Sequence, residues 1–125
     1  MRQLVPLLNV ESVDQSLAFY RTVLEAQVLA QWELEGELRW ARIGFEGGEL
    51  MLNTPDGANS QTRRARADFD DAVLYLMCED APARRAQLES LGVEVGPLRQ
   101  EDYGSDEFAL RDPDGYALRI SSPRP

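Results

Sequence analysis

A chain with neither histidine nor lysine has few chemistries open to it. These 125 residues hold 22 Asp and Glu against 13 basic residues, every one of them arginine. The commonest general base and metal ligand, imidazole, is missing, and no side-chain amine can form a Schiff base. The single thiol, Cys78, allows no internal disulfide and no cysteine-based zinc site. Within Val73-Leu74-Tyr75-Leu76-Met77-Cys78 it reads as a small buried hydrophobe rather than a nucleophile. What remains are carboxylates, arginines that can anchor anions, and aromatic rings that can stack on a ligand. The net charge of −9 repels phosphate backbones and anionic membranes, so neither nucleic acid nor a membrane is an expected partner, and cations are attracted. Arg63, Arg64 and Arg66 form a small basic cluster, but Asp68, Asp70 and Asp71 follow at once, and the segment reads as a solvated loop.

The elements that must position these groups form one domain over residues 1–125. This length lets about two-thirds of the chain's surface be buried. The composition, 43% hydrophobic and 28% charged, is that of a soluble globular protein. The N-terminus has no apolar stretch followed by a small-residue cleavage site, and the expected location is cytoplasmic. A shift of 68 residues pairs Leu8 with Leu76, Ala18 with Ala86, Trp40 with Phe108, Gly47 with Gly115, Leu52 with Ile120 and Pro55 with Pro123, which indicates an internal repeat. Each copy reads as strand, helix and three strands. The first module, 1–54, has a strand at 3–10 and a helix at 13–24 opened by Ser12 with Gln15 three residues on. Strands follow at 27–35, 38–45 and 49–54, with turns at Glu35-Gly36-Glu37 and Gly47-Gly48. A connector, 55–70, leads to the second module, 71–121. Its strand is at 71–78, its Asp80-capped helix at 81–91 ends at Gly92, and its last strands lie near 93–98, 106–111 and 116–121. Asp112-Pro113-Asp114-Gly115 is a turn signal between the last two.

Val5-Pro6-Leu7-Leu8-Asn9-Val10, running into Ser16-Leu17-Ala18-Phe19-Tyr20 and Val23-Leu24, resembles the opening of glyoxalase/bleomycin-resistance proteins, the vicinal oxygen chelate superfamily. Phe108-Ala109-Leu110-Arg111-Asp112-Pro113-Asp114-Gly115-Tyr116 is similar to that family's ending. The resemblance implies an α+β fold: two tandem βαβββ modules forming a cupped, mostly antiparallel sheet with the helices outside. It is less specific for activity, because one superfamily holds enzymes and pure binding proteins. Its catalytic members hold a divalent metal in the cup, and the four ligand positions carry over to Val5, Met51, Val73 (with Ala72 as the neighbouring register) and Arg119. Valine has no donor, methionine is a soft thioether and arginine is permanently positive, so neither a metal nor another cofactor is expected.

With Met51 turned into the cup, alternation brings Glu49 and Asn53 with it, while Leu50 and Leu52 face the helix. By the same rule Val5 brings Leu7 and Asn9, Val73 brings Tyr75 and Met77, and Arg119 brings Ala117 and Ser121. Trp40 and Arg42 line the third strand, with Phe108 as the repeat mate of Trp40 and Trp32 on the adjacent strand. Trp40, Phe108 and Trp32 either stack on a ligand or fill the core. Arg119 pairs with Glu49 or anchors a ligand carboxylate, and Arg42 is equally open between a structural and a ligand-binding role. Tyr103 is a lid or an exposed loop residue. Glu49 could serve as a general base only if burial raised its pKa.

Two functions follow. The first is a metal-free protein of the bleomycin-resistance type that sequesters a drug-like or metabolite ligand. It would act as a homodimer, with Trp40, Arg42, Glu49, Met51, Phe108, Arg119, Trp32, Tyr75 and Tyr103 as binding residues and none catalytic. The alternative is a glyoxalase-like lyase or isomerase, or an antibiotic-modifying enzyme, using a non-standard or dimer-assembled site.

Overall fold

The computed structural model describes residues 1–55 and 72–125. The chain divides into two compact units, Met1–Asp68 and Phe69–Pro125. The connector and its arginine cluster lie almost wholly outside the described residues.

In the first unit the order is β1 (Leu7–Asn9), α1 (Val13–Leu24), β2 (Gln27–Leu34), β3 (Glu37–Phe45) and β4 (Gly48–Asn53). The sheet order is β1-β4-β3-β2, with β1 parallel to β4 and the other pairs antiparallel. The first strand is shorter than the expected 3–10 because Pro6 has no N–H to donate; its carbonyl still accepts from Met51 N at 2.8 Å. Ser12 caps α1 as expected, its side chain accepting from Gln15 N at 3.2 Å. The helix buries Val13, Leu17, Tyr20 and Val23 at helical spacing. These meet Ala41, Ile43, Leu50 and Leu52, all buried on the sheet side that faces α1. Leu34 pairs with Glu37, and the intervening Glu35 and Gly36 both have positive φ, 53° and 80°, as a two-residue hairpin turn of primed type requires.

In the second unit β5 (Val73–Met77), α2 (Ala81–Ser90), β6 (Arg99–Gln100), β7 (Ser105–Arg111) and β8 (Ala117–Pro123) repeat the topology, with order β5-β8-β7-β6. Asp80 caps α2 by accepting from Ala83 N at 3.0 Å, and Ala81 N donates to Ser122 Oγ at 2.8 Å, pinning the helix start to β8. Val93 N donates to Leu88 O, and Gly92, with φ 83°, takes the left-handed position that ends the helix. The strand expected at 93–98 does not form. Pro97 interrupts the ladder, so Gly96 N makes one bond to Ala109 O and regular pairing is confined to Arg99–Gln100.

The repeat is real in topology but not at one offset. Leu50 and Leu118 are 68 apart, yet their cross-strand partners Ile43 and Leu110 are 67 apart. The reason is the hairpin loop. Phe45 pairs with Gly48 across two residues, whereas Arg111 pairs with Ala117 across five. In the longer loop Asp112 Oδ1 accepts from Asp114 N and Tyr116 N, both at 2.9 Å. The structural mate of Trp40 is therefore Glu107, and Phe108 corresponds to Ala41. The expectation that Phe108 shares a face with Arg119 is corrected: it pairs with Ile120 on the buried side and is 1% exposed.

Candidate functional site

Each sheet has one side packed on its helix and one side free of it, and the sequence-derived site residues fall largely on the free sides. In the first unit Trp32 and Trp40 are direct cross-strand partners, Trp40 lies opposite Asn53, and Arg42 lies opposite Met51. Trp32 is 55% exposed, while Trp40, Arg42, Glu49 and Met51 are half-buried. Asn53 Nδ2 donates to Asn9 Oδ1 at 3.1 Å. Arg42 Nε donates to Glu49 Oε1 in an ion pair. That bond, with a second from Gln3, holds the Glu49 carboxyl below the usual carboxylate range. A base needs the opposite shift, so Arg42 makes Glu49 a weaker proton acceptor.

In the second unit Tyr75 is paired directly with Arg119, and Glu107 with Ser121. Arg119 Nη1 donates to Tyr75 Oη at 3.1 Å, with its guanidinium carbon 5.8 Å from the ring centroid. Glu107 is the centre of this surface. It is 3% exposed, and its Oε2 accepts from Ser105 Oγ and Ser121 Oγ, each at 3.0 Å. Oε1 accepts from Tyr75 Oη at 3.3 Å. Burial alone would raise the Glu107 pKa, but the hydroxyls of Tyr103, Ser121, Ser105 and Tyr75 together outweigh it and hold the carboxyl below its ordinary range. The Glu107 carboxylate in turn pushes the Tyr103 phenol well above its ordinary value.

Tyr103 itself is 66% exposed. Its loop is tied down by Glu101 N to Ser105 O at 2.8 Å, Gly104 N to Glu101 O at 3.0 Å, and Arg124 to the carbonyls of Ser105 and Glu101 at 3.1 and 3.0 Å. Beside it lies a hollow of about 350 Å³ bordered by Tyr75, Met77, Tyr103, Gly104, Ser105, Glu107, Ser121 and Pro123. A hollow of about 370 Å³ on the same unit is bordered by Val95, Gly96, Ala109 and Ala117, and its charged groups, Glu94, Arg111 and Arg119, are all exposed. The hollow beside Tyr103 brings a buried carboxylate, Glu107, to its wall.

Sequence reasoning passed over Glu107, Ser105 and Ser121 as site residues. The signal was present as Ser105-x-Glu107, which alternation places on one face. The uniform offset concealed it by matching Trp40 to Phe108.

Of the four positions at which relatives hold a metal, Val5 precedes β1, Met51 lies opposite Leu7, Val73 opens β5 and Arg119 lies opposite Tyr75. Their donor set does not fit a divalent ion: two carry no donor, one is a thioether and one is a guanidinium already donating to a phenol. Among the described residues no group of three or more Asp, Glu or Cys is placed to share an ion. Cys78 is half-buried, and burial raises its thiol pKa, keeping it protonated. No helix among the described residues is long and apolar enough to cross a membrane.

The fold defines a class, the vicinal oxygen chelate proteins. The model of the glyoxalase/bleomycin resistance protein/dioxygenase superfamily matches residues 2–120, and the chain belongs to that superfamily. Comparison with curated protein sequences finds no match. Among solved structures, TioX from Micromonospora sp. ML1 is 15% identical with a TM-score of 0.70, the match covering 98% of this chain and 97% of that one. The fosfomycin resistance protein FosX from Listeria monocytogenes is 13% identical, with TM-score 0.74 and coverage of 98% and 93%. Lactoylglutathione lyase from Agrobacterium tumefaciens is 19% identical, with TM-score 0.70 and coverage of 98% and 94%. At these identities the likeness concerns the fold, and its holders include both a lyase and a fosfomycin resistance protein.

Proposed function

We propose that this chain is a metal-independent small-molecule binding protein of the bleomycin-resistance type, which sequesters its ligand without changing a bond. The observation that carries the reading is the donor set at the metal positions, where Val5, Met51, Val73 and Arg119 stand. Two features support it further. Each free sheet face presents aromatic surface beside a few polar groups, Trp32 and Trp40 in one unit and Tyr75 and Tyr103 in the other, which is the usual makeup of a small-molecule site. The carboxylate best placed by sequence to act as a base, Glu49, is acidified by Arg42. In this reading the protein works as a cytoplasmic homodimer, since closed two-fold assembly is the commonest arrangement for such small chains.

The test is a thermal-shift screen of the purified chain against amphipathic aromatic compounds, with and without a chelator. The expected result is a stabiliser whose effect survives chelation; at 100 times its Kd it adds about 2.7 kcal/mol. A ligand that binds only with a stoichiometric divalent ion, or turnover of a glyoxalase-type or antibiotic substrate that the chelator abolishes, would overturn the reading in favour of an enzyme.

A further inference from the structure

The Glu107 hollow has a chemical polarity that can be counted. A serine or tyrosine hydroxyl carries one proton and two lone pairs. Ser105, Ser121 and Tyr75 all hydrogen-bond to Glu107, and because an ionised carboxylate can only accept, their protons are committed to it. What they leave for anything entering the hollow is lone pairs. Arg119 already occupies one of these, on Tyr75 Oη. The other phenol, Tyr103, stands exposed beside the hollow and offers an acceptor oxygen and a ring face. The site therefore seeks donors. It also carries a buried negative charge whose hydrogen-bond donors are neutral hydroxyls, with Arg99 opposite Glu107 across the β6–β7 ladder and Arg119 linked to it through Tyr75. Met77 and Pro123 supply apolar wall.

We infer that this hollow is a subsite for the cationic head of a small molecule, a primary ammonium or amidinium group on an apolar body. The inference rests on the small-molecule reading above and names the charge class of its ligand. The head would donate to Tyr103 Oη and the Glu107 carboxylate, while the body lies along Met77 and Pro123. The chain's net charge of −9 draws such a ligand in at long range.

The test titrates the intact protein calorimetrically with three probes of similar shape: 2-phenylethylammonium, neutral 2-phenylethanol and anionic 3-phenylpropanoate. The ammonium probe is expected to bind at least about tenfold more tightly than the alcohol, and the anion most weakly. Glu107→Gln should erase the difference between ammonium and alcohol. Arg119→Met, a change at an exposed residue that spares the carboxylate, should tighten the ammonium probe about threefold by removing a like charge. Tightest binding of the anion, equal binding of all three, or ammonium affinity that is unchanged or weaker in Arg119→Met overturns the inference. If none of the probes binds while the chelator-treated screen yields a ligand, the inference fails and the small-molecule reading stands; if that screen is also empty, both fail.

Discussion

Replacing Phe108 by alanine should cost the second unit about 3–5 kcal/mol. The ring is 1% exposed and lies opposite Ile120 on the side of β7 and β8 that packs against α2. A phenylalanine buries roughly 150–250 Å², which at about 25 cal/mol per Å² is roughly 4–6 kcal/mol of transfer free energy. That is an upper bound, because a denatured chain already hides part of the ring. The cavity left behind keeps the measured loss near the same range, since β7 is anchored on both sides and cannot collapse freely. The matched control is Ala109→Ser, one residue along on the opposite, exposed face, expected to change stability by less than about 0.5 kcal/mol. Urea denaturation followed by far-UV circular dichroism reads both, as a shift in midpoint at constant slope. A loss below about 1 kcal/mol for Phe108→Ala at unchanged slope, or a larger loss for Ala109→Ser, would refute the register and return Phe108 to the face of Arg119.

Glu107 also predicts a pH dependence. Its folded pKa is lowered, so its contribution is complete above the unfolded value of about 4.3 and is lost as pH falls through the folded value. Tyr103 and Arg119, beside it, are both shifted upward, away from that acid window. The urea midpoint of the wild type should thus fall more steeply between pH 5 and acid than that of Glu107→Gln, and parallel profiles would contradict the hydrogen-bonded carboxylate. Asp80→Ala removes the acceptor for Ala83 N and should cost about 1 kcal/mol in the same assay, with Asp80→Asn costing less.

The helices were legible because their signals are local. Ser12 and Asp80 caps, the Val13-Leu17-Tyr20-Val23 stripe and Gly92 each act within one or two turns. The Glu35-Gly36 turn was legible for the same reason. In the first unit the free face was also readable, because β3 and β4 alternate regularly through a two-residue turn, so Trp40, Arg42, Glu49 and Met51 fell where parity put them. Illegible were the partners. Glu49 had Arg119 or a ligand as its expected counterpart and takes Arg42 instead, a diagonal neighbour across one hairpin. Arg119 is held by Tyr75, 44 residues away in sequence.

From the order of residues alone came the α+β class and the two strand-helix-three-strand modules, since each depends on residue type or on periods of two and 3.6; the positions Val5, Met51, Val73 and Arg119 came from the family resemblance. Only the folded chain decided that Phe108 belongs to the core and that Glu107 gathers Tyr75, Tyr103, Ser105 and Ser121. In an antiparallel pair the loop length fixes which residues face each other, and a longer loop in the second hairpin moved β7 by one position from the 68-residue offset, so that Phe108, matched to Trp40 in sequence, faces the opposite way.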